Sequence, residues 1–175
     1  MSEIFNAISR AGTALEGFRE REPAPMFHED EAPPAPRFVE TVVEAGRVRG
    51  RAVRAVVRED SLASEQMRVV RTKVHTLEES ITFRCIGVVS ASRKEGKTTV
   101  AFGLATALAQ EDSHRVLLLE TTLRTPRLAS LLRIPSEPGV SEWLRGTAEE
   151  VAVRRVEPFG FWLLEAGSPC ETPGD

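Results

Sequence analysis

The sequence predicts an α/β domain in which helices flank a parallel β-sheet. Two short apolar runs, the β-branched run Phe83–Ser90 and the leucine-rich run His114–Glu120, have the composition of strands that are buried on both faces. Between them, Thr99–Gln110 places alanine and leucine side chains, at positions 101, 104, 105 and 108, on one face of a helix. A strand, a helix and a strand in about forty residues form a βαβ unit, which requires parallel strands.

Bulk composition is that of a globular protein without a strong charge bias. The 175 residues are 41% apolar and 28% charged, and the formal net charge is -3, so we expect no nucleic-acid partner. Cys85 and Cys170 are far apart in the chain and have no nearby histidine, which favours reduced thiols in the cytosol. No run has the length of a signal peptide or a membrane span. We therefore predict a cytoplasmic protein.

Residues 1–60 are predicted to form a flexible N-terminal region rather than part of the domain. Residues 2–18 carry apolar side chains at near-helical spacing, which predicts a short amphipathic helix. Glu20–Pro36 is rich in proline and acidic residues, a composition typical of a disordered linker. Arg47–Arg58 contains five arginines and is interpreted as a solvated linker, with contact to an anionic surface or an acidic partner as the alternative. Residues 61–175 are expected to form the α/β domain.

The domain should begin with a helix after Ser61. Ser61 and Ser64 are candidate N-caps, and the spacing of apolar residues predicts one buried stripe. The stripe consists of Met67, Val70, Val74 and Leu77. Glu65 and Arg68 lie opposite it, with Arg71 at its shoulder. Spacing alone favours a solvated charged face with an ion pair between Glu65 and Arg68.

Three further elements are predicted downstream of the βαβ unit. Helices are expected at Pro126–Leu132 and Val140–Arg145, followed by a strand at Phe159–Leu164. The resulting sheet is short.

The turn between the first strand and the helix matches a phosphate-binding loop. The stretch "ASRKEGKT", residues 91–98, fits the motif with alanine in place of its first glycine. In such a loop the backbone N–H groups and the helix N-terminus face the phosphates. Lys97 would reach the β- and γ-phosphates of ATP, and Thr98 would offer a hydroxyl to Mg²⁺. The predicted nucleotide-binding residues are Ala91, Ser92, Arg93, Lys94, Glu95, Gly96, Lys97, Thr98 and Thr99.

Four segments, in this order, resemble one family. The segments "SEQMRVVRT", "VVSASRKEGKTTVAFGLATALAQ", "RVLLLETTLRTPRLASLL" and "PGVSEWLRG" resemble the P-loop domain of bacterial protein-tyrosine kinases, the BY-kinases, over about residues 61–170. The resemblance implies a P-loop NTPase-like fold, ATP and Mg²⁺ as cofactors, and a role in capsule and exopolysaccharide export. It also implies a membrane-bound polysaccharide co-polymerase or activator as partner, with recruitment to the inner face of the membrane. Glu65, Arg68 and Arg71 match the family's E-x-x-R-x-x-R motif, which implies a homo-oligomer interface.

The sequence departs from the family pattern in two places. The family's second strand ends in a Walker A′ motif with two aspartates, where this chain has Glu120 and Thr122 and retains Arg124 and Pro126. Glu120 keeps a carboxylate and is the candidate catalytic and Mg²⁺-binding residue together with Lys97 and Thr98. A polar residue that merely closes a strand is an equally weighted alternative for Glu120. We also expect an incomplete sheet without the Walker B half, and the chain has no tyrosine to phosphorylate.

These observations leave two main hypotheses of function. The first is an ATP-dependent protein-tyrosine kinase domain whose acceptor tyrosine lies on another protein. The second is a catalytically inactive nucleotide-binding module that regulates or docks in the same export system. The intact loop favours the first, and the changes at Glu120 and Thr122 favour the second. A partition-type ATPase is a third possibility, but Ser92 stands where those proteins have a signature lysine.

Overall fold

A computed structural model describes residues 36–46, 48–111 and 115–171 of the chain. These residues belong to one compact unit that begins at Pro33. The amphipathic helix predicted at residues 2–18 and most of the proline-rich stretch lie outside the described residues. No helix within the described ranges is long and apolar enough to cross a membrane.

The sheet has four strands, in the order β1-β3-β4-β2. The strands are β1 (Arg37–Glu44), β2 (Leu117–Leu119), β3 (Glu150–Glu157) and β4 (Trp162–Leu164). β1 pairs parallel with β3 over eight residues, β2 pairs parallel with β4, and β3 runs antiparallel to β4. Helices flank this sheet, so the predicted α/β class with a mainly parallel sheet is confirmed.

Five helices complete the described fold. They are α1 (Arg51–Val57), α2 (Leu62–Glu78), α3 (Lys97–Ala109), α4 (Leu128–Leu132) and α5 (Val140–Leu144). α2 begins as predicted, because the Ser61 hydroxyl accepts a hydrogen bond from the Ser64 N–H at 3.0 Å. Of the stripe predicted on α2, only Val74 is buried, whereas Val70 and Leu77 are exposed. The contact of α2 with α3 is therefore narrower than the spacing predicts.

The prediction of a flexible region and linker over residues 1–60 is wrong for β1 and α1, which belong to the domain. β1 lies within that stretch and joins the sheet through backbone pairing with β3, from Arg37 opposite Glu150 to Glu44 opposite Glu157. α1 follows, burying Val53 and Val56 while its arginines stay exposed. The many arginines of this segment led to the linker interpretation, although its two buried valines pack it into the domain.

The prediction of a strand at Phe83–Ser90 is also wrong. The segment pairs with no strand of the described sheet, and its apolar side chains Ile86 and Val89 are exposed, Val89 by 88%. A β-branched run forms a strand only where another strand satisfies its backbone groups. β3, which the sequence analysis missed, provides instead the central pairing partner of both β1 and β4.

The core lies between α3 and the sheet and is centred on aromatic rings. Phe102 of α3 meets Phe159 and Phe161 edge-to-face, each at 5.2 Å between ring centroids. Phe102 and Phe161 are fully buried, together with Leu132 and Leu163. This packing anchors the helix whose first residue is Lys97.

Candidate functional site

The candidate site is the exposed loop that leads into α3. Residues 91–95 are exposed, and α3 begins at Lys97. Gly96 lies at the N-cap with φ 96° and ψ 9°, a left-handed conformation that glycine adopts without the steric cost of a Cβ atom. Lys94 also has a positive φ of 67°. The turn therefore directs the chain from the loop into a helix whose first N–H groups have no partner within the helix.

The side chain of Lys97 folds back over the loop. Its Nζ donates to Ser90 Oγ at 2.5 Å and to the Ser92 carbonyl at 3.0 Å, and Ser90 Oγ donates to the same carbonyl at 3.0 Å. The ammonium group thus lies inside the curve of the loop. A phosphate entering this curve would meet a positive charge already in place.

The Glu95 side chain is hydrogen-bonded to the backbone of the same loop. Its Oε2 accepts a hydrogen bond from the Ser92 N–H at 3.0 Å. This bond, with the Ser90 hydroxyl and the charge of Lys97, holds the pKa of the Glu95 carboxyl below its ordinary value. An ionised carboxylate therefore occupies one of the backbone donors that the motif offers to a phosphate.

The other predicted nucleotide-binding residues differ in solvent exposure. Ala91, Arg93 and Lys94 are exposed, whereas Thr98 and Thr99 are half-buried in the first turn of α3. The nucleotide-binding roles predicted for residues 91–99 remain predictions.

A groove of about 410 Å³ runs beside the loop and brings together three of the predicted site residues. Lys97, Thr98 and Glu120 all contribute to its lining. Its other walls are residues 83–88, β2 and the apolar side of α3. Three of the predicted site residues therefore border one space.

Glu120 is buried and holds the start of α4. Its Oε1 accepts from the Arg127 N–H at 2.7 Å and from the Leu128 N–H at 3.2 Å, and its Oε2 also approaches Leu128 N at 3.3 Å. Burial raises the pKa of the Glu120 carboxyl, and the backbone N–H groups oppose this effect only in part. This arrangement agrees with the alternative in which Glu120 closes a strand, and its catalytic and metal-binding roles stay predictions.

The donor set for Mg²⁺ in this groove is small. Mg²⁺ takes oxygen ligands, and in nucleotide sites one or two carboxylates with phosphates and waters suffice. Thr98 would supply a hydroxyl and Glu120 one carboxylate, while exposed Thr122 supplies no charge. A carboxylate has about four lone-pair sites, and backbone N–H groups take most of those on Glu120. These residues can hold the ion only together with the nucleotide's own phosphates.

A buried ion pair at the end of β4 was missed by the sequence analysis. Arg154 Nη1 lies 2.6 Å from Glu165 Oε2, and both side chains are buried. Burial raises the pKa of Glu165 to about 7, opposed by Arg154 and reinforced by the charge of Glu120. The buried residues of β3, Val151, Arg154 and Val156, are three and two positions apart, so no regular alternation marked the strand or its arginine.

The three predicted interface residues do not form one free surface. Arg71 donates to the Ala107 carbonyl at 3.0 Å and pairs with Glu111 at 3.1 Å, which binds it to α3. Arg68 is partly exposed, within 3.4 Å of the Glu59 carbonyl, and Glu65 is exposed. The expected pair between Glu65 and Arg68 is absent from the ion pairs of the described residues.

Comparison with known proteins places the chain beside bacterial kinases. It is 32% identical over 126 residues to Tyrosine-protein kinase YwqD of Bacillus subtilis, covering 71% of this chain and 53% of that protein. It is 30% identical over 122 residues to Tyrosine-protein kinase ptk of Acinetobacter johnsonii, covering 69% of this chain and 16% of that protein. The chain thus spans about half or less of the length of these relatives, and no family model matches it.

Two solved structures share the fold of the chain. The kinase domain of the Escherichia coli tyrosine kinase ETK superposes with a TM-score of 0.62 at 28% identity, covering 69% of this chain and 48% of that one. The chimerical protein CapA2B2 shares the fold, with a TM-score of 0.59 at 19% identity, covering 81% and 58% of the two chains. By sequence and by fold, the chain is therefore related to the bacterial tyrosine-protein kinase (BY-kinase) family.

Proposed function

We propose that the chain binds Mg-ATP through residues 91–99, as a BY-kinase-like protein-tyrosine kinase domain that serves capsule or exopolysaccharide biosynthesis and export. One observation carries the proposal: Gly96 in the left-handed conformation leads into α3, and Lys97 lies inside the curve of the exposed loop. The backbone donors and the ammonium group suit a chain of phosphates. Kinase relatives support ATP as the nucleotide.

Phosphate transfer would use the groups that line the groove. Lys97 would neutralise charge on the transferred phosphoryl group, and Thr98 with Glu120 would orient its Mg²⁺. Because these 175 residues include no tyrosine, the acceptor hydroxyl would lie outside them.

A second candidate is a nucleotide-binding regulator that transfers no phosphate. Two observations favour it. The carboxylate of Glu120 is bonded to the Arg127 and Leu128 N–H groups, and Thr122 brings no second carboxylate to the site. Weakly held Mg²⁺ would leave binding intact and slow the transfer step.

Replacing Lys97 with alanine should weaken binding of a fluorescent ATP analogue by about ten- to 150-fold. The estimate is the loss of charge-assisted hydrogen bonds, about 1.5–3 kcal/mol. Equilibrium fluorescence titration measures it. Lys73→Ala, which removes an exposed lysine of α2 outside the loop, is the matched control and should change affinity far less. Equal affinity of wild type and Lys97→Ala would contradict the assignment of the loop.

The same variants separate the two candidate functions. With labelled ATP and a tyrosine-bearing protein, a kinase should give phosphotyrosine that Lys97→Ala abolishes. Binding without transfer in the wild type would favour the regulator.

We further propose a membrane-bound polysaccharide co-polymerase or activator as the partner, which recruits a cytoplasmic protein to the inner face of the membrane. The family relationship supports this partner. Co-expression with the co-polymerase should move the protein into the membrane fraction. An unchanged distribution would argue against recruitment.

Self-association through α2 is a separate proposal with its own prediction. Replacing Glu65 and Arg68 with alanine should reduce the assembly size in analytical ultracentrifugation without lowering the melting temperature, because neither side chain is buried. Arg71→Ala should also lower the melting temperature, because Arg71 is bonded to Ala107 and Glu111. An unaltered sedimentation profile in all variants would show that this face is solvated.

A further inference from the structure

The Glu95 carboxylate occupies a backbone donor within the phosphate loop. Its Oε2 accepts from the Ser92 N–H at 3.0 Å, while Lys97 is bonded to Ser90 and to the Ser92 carbonyl. One backbone donor of the loop, the Ser92 N–H, is thus satisfied by an acidic side chain three residues further along. An incoming phosphate must displace that carboxylate before it can accept the same hydrogen bond.

The carboxylate also opposes phosphate through its charge. Glu95 is exposed and next in sequence to Gly96, so it remains close to the loop after it leaves Ser92. Like charges near one site repel, and the repulsion grows with the charge of the ligand. Mg²⁺ neutralises part of the phosphate charge, so it reduces this repulsion.

We propose that Glu95 competes with the nucleotide phosphates for the Ser92 N–H, and thereby makes the loop select Mg-complexed ATP over free ATP. The inference rests on the proposed function and names a specificity-determining residue of the same site. The ligand class is a nucleoside triphosphate whose charge is partly neutralised by a divalent cation.

The test is isothermal titration of wild type and Glu95→Gln with three ligands: ATP with Mg²⁺, ATP with a chelator, and adenosine. Glutamine keeps an acceptor of nearly the same shape and removes only the charge. For an exposed charge we expect free ATP to bind Glu95→Gln about two- to fivefold more tightly than wild type. The affinity for Mg-ATP should increase less than the affinity for free ATP, and the affinity for adenosine should not change. Glu95→Ala also frees the Ser92 N–H, so its affinity for free ATP should increase at least as much as that of Glu95→Gln.

The matched control is Glu149→Gln, which makes the same charge change at an exposed position before β3. It should leave all three affinities unchanged. Equal gains for free ATP and Mg-ATP, a gain for adenosine, or no gain at all would overturn the inference while leaving nucleotide binding established. If wild type and every variant bind no ATP, the proposed function fails and the selectivity fails with it.

Discussion

Replacing Phe102 with alanine should lower the free energy of unfolding by about 3–5 kcal/mol. The side chain is fully buried, and its ring meets Phe159 and Phe161 edge-to-face. The substitution removes apolar contact area and both ring contacts, and the rigid sheet beneath α3 cannot close the cavity completely. Urea unfolding followed by circular dichroism measures the loss of stability. An unchanged m-value, the slope of the free energy of unfolding against urea concentration, would indicate that only the stability changed.

Val100→Ala is the matched control on the same helix. Val100 is 41% exposed, so its truncation should change stability by no more than about 0.5 kcal/mol. Because Phe102→Ala could prevent folding, Phe102→Leu should be measured too, and its loss should lie between those of the other two variants. A loss for Phe102→Ala no larger than that for Val100→Ala would contradict the proposed core.

Local signals predicted four of the five described helices, α2 to α5, because such signals act within one or two turns, whereas α1 was interpreted as part of a linker. The cap of α2 depends on Ser61 and Ser64, and the loop geometry depends on a glycine at position 96. Both signals lie next to the structure they specify. The start of α3 at Lys97 was thus set by sequence alone to within two residues.

Strand pairing was predicted poorly because it depends on distant residues. β1 becomes a strand by pairing with β3, more than one hundred residues further along the chain. Both strands carry charged residues that obscure the period of two, so neither was predicted. The apolar run at Phe83–Ser90 had the better strand composition but has no pairing partner in the described sheet.

The residues of the candidate site were predicted from sequence, but their contacts were not. The phosphate-loop residues follow from the motif, whereas the hydrogen bonds and ion pairs of the carboxylates near the site depend on the fold. Glu120 reaches the Arg127 and Leu128 N–H groups only because the chain turns back after β2, and Glu165 meets Arg154 only because β3 and β4 pair. Long-range contacts therefore determine which carboxylates are available to bind a ligand.

The stability of the protein should fall as pH rises from about 5 to 8, and Glu165→Gln should remove much of this dependence. The Glu165 carboxyl has a pKa of about 7 in the folded state against an ordinary 4.5, because burial disfavours its charged form. Between these values the folded state holds a proton that the unfolded state has lost. The stabilisation is therefore fully present below the unfolded pKa and is lost as pH rises through about 7, a change on the order of 3 kcal/mol.

Glutamine in this place mimics the protonated carboxyl, because it still offers Arg154 an acceptor and cannot ionise. Urea unfolding at a series of pH values should therefore give similar stabilities for wild type and Glu165→Gln near pH 5. Near pH 8 the variant should be the more stable. Glu157→Gln, which removes a partly exposed carboxylate paired with Arg155, is the control and should leave the pH dependence as in the wild type. If Glu165→Gln is instead less stable than wild type near pH 8, attraction between Arg154 and Glu165 outweighs the cost of burying the carboxylate, contrary to the raised pKa.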